Sequence, residues 1–412
     1  MEQQFHRYGR SVAAAMLIFG VACEPSEDTG VTPLPANMSA GSLSPSSQSM
    51  EPAGGSSSFD TPGPWPVGFR ETEIEYNTPR GDVRRMRLLV WYPVVDVQMR
   101  PIEAAFVGGL YIREGVYVAG SPPDGQRFPL MVFSHGSQGL AEQSFFLTEH
   151  FASHGWIVVA PDHTGNTLYS AGGPLHRFNY VRPQDIHAVL DHMLTLPADD
   201  PLADHLNETA IIAGHSFGAY TALAIAGAVF DADQLDVCGD DRDIRALCVP
   251  DAADDFRRGF TDRRFTAAIA MTPIGLNAYL TGAGTLGNIA TPTLIMTAGL
   301  DTVQPPEPHG ERVWASLRRA PHMRLDFPNA GHFSFSNLCE SVPRAVIPDR
   351  IYTDGCSPRL TPTSTVHDVA KALTLAFVRA RLFNDPAAMR FMSDIDSLRG
   401  VATVYDGGSS EP

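Results

Sequence analysis

Residues 209–230 read TAIIAGHSFGAYTALAIAGAVF, and this stretch decides the fold. Thr209–Gly214 is a short apolar run with β-branched residues, suited to a strand covered on both faces. Phe217–Phe230 is small and apolar throughout, the composition of a buried helix. Between them stands Gly214-His215-Ser216-Phe217-Gly218, a G-x-S-x-G with no residues to spare for a loop. A serine on such a turn is presented at the carboxyl edge of a sheet, and a glycine on either side lets strand and helix backbones approach without Cβ clashes. Ser216 is therefore the candidate nucleophile. Phe217 opens the helix, so its N–H points into a site where the helix dipole favours negative charge.

Working outward, short apolar runs recur at Leu130–Ser134, Trp156–Ala160, Phe265–Met271 and Thr293–Ala298, with a longer β-rich run at Val83–Tyr92. Helical stretches separate or follow them at Phe145–Ser153, Gln184–Leu196, Pro305–Arg319 and Thr365–Leu382. This alternation predicts an α/β domain with a mostly parallel, doubly wound sheet and helices on both faces. Ligands of such sheets bind at the carboxyl ends of the strands.

A serine nucleophile needs a base, and the base needs an orienting group. Downstream of Ser216, Asp301 follows the run TLIMTAG and His332 stands in Asn-Ala-Gly-His-Phe after the run Met323–Phe327. The order Ser216, Asp301, His332 makes Asp301 the candidate acid and His332 the candidate base. Asp326 is nearer to His332 in sequence but lies within a strand, and His215 reads as a packed neighbour of the nucleophile. An oxyanion hole needs a second backbone donor, and Phe133-Ser134-His135-Gly136-Ser137-Gln138-Gly139 offers the N–H of Ser137 beside that of Phe217.

Composition removes other chemistries. The 412 residues carry a formal charge of −16, which argues against a nucleic-acid partner. Lys371 is the one lysine in the sequence; it sits in Ala-Lys-Ala, so a P-loop is excluded and a Schiff-base lysine is disfavoured. Neither a cofactor nor a metal is expected. Two disulfides are expected from the four cysteines after Cys23, with short loops favouring Cys238–Cys248 and Cys339–Cys356.

The N-terminus reads as an export signal over residues 1–22: His6, Arg7 and Arg10 precede the uncharged run Val12–Ala22, which is too short to span a bilayer. Gly20 and Ala22 precede Cys23 in a pattern that resembles a bacterial lipobox, which implies lipidation of Cys23. Residues 23–64 are rich in Ser, Pro and Gly without Lys or Arg, so a disordered tether is expected before a domain over 65–412. Asp231–Asp262 holds ten aspartates and reads as a solvated insertion after the nucleophile helix. Calcium binding by Asp240, Asp241 and Asp243 stays open there, without an EF-hand pattern.

FSHGSQG (133–139), SHGWIVVAPDHTGNT (153–167), RPQDIHAVLDHML (182–194), GHSFGAYTAL (214–223), TAGLD (297–301) and AGHFSF (330–335) together resemble the α/β-hydrolase superfamily. Within it, the chain is similar to the bacterial branch joining platelet-activating factor acetylhydrolases to dienelactone-hydrolase-like lipoproteins. The resemblance implies the α/β-hydrolase fold and a serine ester hydrolase with Ser216, Asp301 and His332 as its triad. It further implies short-acyl ester substrates, acetyl esters of phospholipids among them, on an exported and membrane-anchored protein. Ser216 stands where dienelactone hydrolases have cysteine, and Ser137 and Ala219 where the acetylhydrolases often have leucine and glycine. A polyester hydrolase or acyltransferase on the same triad, and a noncatalytic binding protein on the same fold, are the alternatives. Oligomeric state is left open by the sequence.

Overall fold

The strands in chain order are β1 (Val67–Asn77), β2 (Val83–Pro93), β3 (Pro101–Phe106), β4 (Gly109–Val118), β5 (Phe128–Ser134) and β6 (Ile157–Pro161). They continue with β7 (Leu206–His215), β8 (Phe265–Met271), β9 (Thr293–Ala298), β10 (Met323–Phe327) and β11 (Thr403–Asp406). The helices of eight residues or more are α1 (Phe145–Ser153), α2 (Phe178–Leu194), α3 (Phe217–Ala226), α4 (Thr363–Phe383) and α5 (Pro386–Ser393). In this computed structural model the described residues are 59–95, 101–106, 109–118, 120–170, 177–231, 253–275, 286–317, 321–393 and 401–407, with backbone alone described over 101–115 and at 118. The unit that carries the fold is Gly54–Pro412. Cys23, Cys238 and Cys248, with most of the acidic insertion, lie outside the described residues.

The strands form one sheet in the order β11-β10-β9-β8-β7-β5-β6-β2-β1-β4-β3. Its centre, β6-β5-β7-β8-β9-β10, is parallel. β2 runs antiparallel to β6, β1 to β2, and β11 to β10. Beyond β1, the hairpin β3–β4 extends the sheet. The chain goes from β5 outward to β6, then returns past β5 to β7, so loops leaving β5 and β7 diverge. That divergence opens a crevice between two neighbouring strands, the place where doubly wound sheets bind ligands.

Period-two alternation explains why the central strands read as unbroken apolar runs. Leu130, Val132, Ile157, Val159 and Ile212 point to the face covered by α2 and α3. Met131, Phe133, Val158, Ala160 and Ile211 point to the face covered by α1 and α4. Both faces are dry, so neither set of positions tolerates a polar residue. α2 and α3 are also tied by a backbone defect. Pro183 lies inside α2 and has no N–H for the carbonyl four residues earlier, Asn179. The Tyr220 hydroxyl of α3 donates to that carbonyl at 2.9 Å.

Candidate active site

The turn between β7 and α3 holds Ser216 at φ 56°, ψ −114°, a left-handed conformation that a residue with a Cβ adopts only under constraint. The constraint is visible. The Ser216 N–H donates to the Met271 carbonyl at 2.8 Å, and the Ser216 carbonyl accepts from Ala219 and Tyr220. A Cβ on Gly218 would lie 1.8 Å from the Ser134 carbonyl oxygen, and one on Gly214 would lie 2.2 Å from the Gly218 carbonyl oxygen. The two glycines of the motif are thus where strand and helix backbones touch.

Asp301 and His332 meet after β9 and β10. The Nδ1–H of His332 donates to Asp301 Oδ2 at 2.7 Å, while Asp301 Oδ1 accepts the N–H groups of Val303 at 2.8 Å and Gln304 at 2.6 Å. Burial pushes the Asp301 carboxyl up, but the hydrogen bond and charge of His332 and the two amides outweigh it and hold the group below the usual carboxylate range. With Nδ1–H committed to the carboxylate, a tautomer assigned from this network, Nε2 is left as a lone-pair acceptor. Asp326 is occupied elsewhere: it accepts from Thr297 Oγ1 at 2.6 Å and from Arg324 at 2.7 Å.

Two residues that the sequence did not single out brace this pair. Asp354 Oδ1 accepts the His332 N–H at 2.8 Å, and its Oδ2 accepts the Thr302 hydroxyl at 2.6 Å and the Thr302 N–H at 3.1 Å. One buried carboxylate therefore clamps the Thr302 loop to the His332 loop. It sits two residues before Cys356, whose disulfide to Cys339 closes the segment with Cα atoms 5.3 Å apart. Gln143 is the second. Its Oε1 accepts the Gly136 N–H at 2.8 Å and its Nε2 donates to His215 Nδ1 at 2.7 Å. The far side of His215, Nε2–H, donates to the His332 carbonyl at 2.8 Å, and the two imidazole rings stand 4.8 Å apart. Both nitrogens of His215 are used, and burial with the nearby His332 charge lowers it to about 3, so it stays neutral and is no second base.

The turn after β5 lies alongside Ser216: a Cβ on Gly136 would stand 3.6 Å from Ser216 Cβ. Since the Gly136 N–H is committed to Gln143, the next amide of the turn is that of Ser137. The N–H of Phe217, at the first position of α3, has no acceptor within its own helix. The side chain of Phe217 packs 5.5 Å from the Tyr220 ring. Among the described residues, no group of three His, Cys, Asp or Glu side chains is placed to hold a metal ion.

The sheet order and the strand–Ser216–helix elbow are those of the α/β-hydrolase fold. The chlorophyllase family model matches residues 114–238, which hold the β5 turn and the elbow. A curated relative, the cutinase Est1 of Thermobifida alba, is 26% identical over 215 residues, 52% of this chain and 56% of that protein. The chain thus spans about half the length of the curated relative it matches. Among solved structures, a ferulic acid esterase from Streptomyces cinnamoneus superposes with a TM-score of 0.54 at 21% identity, covering 78% of this chain and 91% of that one.

Proposed function

We propose that this protein is a serine hydrolase of carboxylic esters, working through an acyl-enzyme on Ser216. The observation that carries the proposal is the buried Asp301–His332 pair, 2.7 Å apart, joined to the Ser216 elbow through His215, whose Nε2–H meets the His332 carbonyl at 2.8 Å. His332 Nε2 takes the Ser216 hydroxyl proton as Oγ attacks the ester carbonyl. The carbonyl oxygen becomes an oxyanion, held by the N–H groups of Ser137 and Phe217. As the intermediate collapses, the proton passes from Nε2 to the departing alcohol. Water then repeats the sequence on the acyl-enzyme and releases the acid. Similarity to a cutinase and to a ferulic acid esterase supports ester cleavage.

For the acyl group we propose a short chain. Phe217, next to the nucleophile, packs on Tyr220 and on Arg182, whose guanidinium carbon lies 4.8 Å from the ring centre, contacts that a long chain would have to displace. Acetyl esters of phospholipids, suggested by the acetylhydrolase resemblance, are one candidate class. The cutinase relative favours a second reading, polyester cleavage. For location we propose export with Cys23 lipidated, supported by the disulfide Cys339–Cys356, a bond favoured in oxidising compartments.

The test is a series of p-nitrophenyl esters from acetyl to decanoyl, run beside a short-acyl phospholipid and a polyester film. A steep fall in kcat/KM beyond butyryl is expected. A maximum at long chains would overturn the short-acyl reading. Absence of ester cleavage, or its persistence in Ser216→Ala, would overturn the hydrolase reading.

A further inference from the structure

Arg182 of α2 is fully buried, a costly place for a cation. Burial lowers it to about 9, with Asp185 acting in the opposite sense and Arg84 adding repulsion, so it still carries its charge at neutral pH. Among the described residues no ion pair joins it to a carboxylate. The groups it touches are neutral: Nη1 donates to the His135 carbonyl at 2.5 Å, Nη2 to the Gly136 carbonyl at 2.9 Å and to Asn166 Oδ1 at 2.7 Å, and Nη2 also lies 3.2 Å from His135 Nδ1. The guanidinium also faces the Phe217 ring. A single buried cation therefore touches both segments that would supply the oxyanion hole.

The Gly136 carbonyl and the Ser137 N–H are the two ends of one peptide group. In a trans peptide these bonds point in opposite directions. A guanidinium gripping the carbonyl therefore aims the N–H away from Arg182. A positive charge on the oxygen also draws electron density from the nitrogen, which makes the N–H a stronger donor. The carbonyl also accepts from His135 Nδ1–H at 2.7 Å and from the Gly139 N–H at 3.1 Å; of the three donors only Arg182 carries a charge. The His135 ring is itself fixed, because its Nε2 accepts the His163 N–H at 3.1 Å.

We propose that Arg182 is a positioning residue that aims and polarises the Ser137 N–H of the oxyanion hole through the Gly136–Ser137 peptide. The proposal rests on the serine-hydrolase reading of the site. It predicts a loss expressed in the transition state, where the oxyanion exists, and little in ground-state binding.

The test compares wild type with Arg182→Met, Arg182→Lys, Asn166→Ala and Ser137→Ala, by p-nitrophenyl acetate kinetics and by the affinity of an alkylboronic acid, whose adduct with a serine places an anionic oxygen in the hole. Arg182→Met is expected to lower kcat by roughly 10- to 100-fold with KM nearly unchanged, and to weaken the boronic acid by a matching factor. Arg182→Lys, which keeps the charge without the fork, should recover part of both. A fluorophosphonate should still label Ser216 in the variants, showing that they are folded with a competent nucleophile. If the Arg182 variants do not fold, Asn166→Ala and Ser137→Ala decide together. Asn166→Ala removes one acceptor that aims the guanidinium, while Ser137→Ala removes only the side-chain contact between Asn166 and Ser137 at 3.4 Å. A smaller, matched loss is expected in the first and less in the second, and equal losses in both would overturn the proposal. A fall in kcat with boronic acid affinity unchanged, or unaltered kinetics in a folded Arg182 or Asn166 variant, would also overturn it. Failure of the fluorophosphonate to label wild type at Ser216 would instead overturn the serine-hydrolase reading, and the proposal with it.

Discussion

Which carboxylate serves His332 is a question that two aspartates answer differently. Asp301 hydrogen-bonds its ring, whereas Asp326 is occupied by Thr297 and Arg324. Asp301→Asn should lower kcat/KM for p-nitrophenyl acetate on the order of 10³-fold or more, because an amide no longer fixes the tautomer. Asp326→Asn should leave it within about threefold, since it lies outside the site; the reverse ranking would move the acid to Asp326. Both aspartates could be weighed from sequence because Asp301 follows, and Asp326 lies within, a recognisable apolar run. Gln143 could not be, since it meets His215 across 72 residues and no periodic pattern records such a contact. Gln143→Leu leaves the Gly136 N–H and His215 Nδ1 without partners. At about 1–3 kcal/mol for each buried unsatisfied group, a folded variant should unfold at lower urea concentration and turn over more slowly. Unchanged urea midpoint and kcat would show that the bridge carries no strain.

At the level of elements, the central parallel strands were legible because both of their faces are buried. β1 was not. Its sequence VGFRETEIEYN places Glu71, Glu73 and Glu75 outward and buries Val67, Gly68 and Ile74, so it lacks the apolar run that marks its neighbours. β11, four residues with none buried, is recognisable only by pairing with β10. The helix expected over Pro305–Arg319 is broken into a π turn at Glu307–Glu311 and a short helix at Arg312–Ser316. The segment between Cys339 and Cys356 is the element whose importance is easiest to test. Closing a loop of 17 residues stabilises a fold by about 3 kcal/mol through the unfolded chain. Reducing this bond, or replacing both cysteines by serine, should lower Tm by several degrees. It should lower kcat at temperatures still below the new Tm, because Asp354 loses its bracket and the His332 loop its hold. Thermal scans with parallel assays would check this; a drop in Tm with kcat intact would confine the disulfide to stability.

Over the whole molecule, buried histidines set the acid limit. His163 and His322 are lowered to about 4, and His215 to about 3, in each case chiefly by burial; His135 and His150 are also held well below their ordinary range by the same cause. Each stays neutral in the folded protein while the unfolded chain protonates it near pH 6.5. Below that pH the unfolded state binds more protons, so stability falls as pH falls, down to the folded pKa near 4. Each such group removes about 1.4 kcal/mol per pH unit. Asp354 and Glu142, both raised by burial, work in the opposite direction, because the folded state takes up their protons first. They are two groups against the five histidines. Asp301 and Asp185, held below the ordinary carboxylate range, add their losses at lower pH. Urea unfolding should therefore give a free energy that is flat above pH 7 and declines between pH 6.5 and 4.5 with a slope of more than one proton. His322→Phe, in a residue remote from Ser216 in sequence and lowered by burial, should reduce that slope by close to one proton. A slope that begins only below pH 4 would assign acid unfolding to the carboxylates instead, and would mean that these histidines reach water in the folded state.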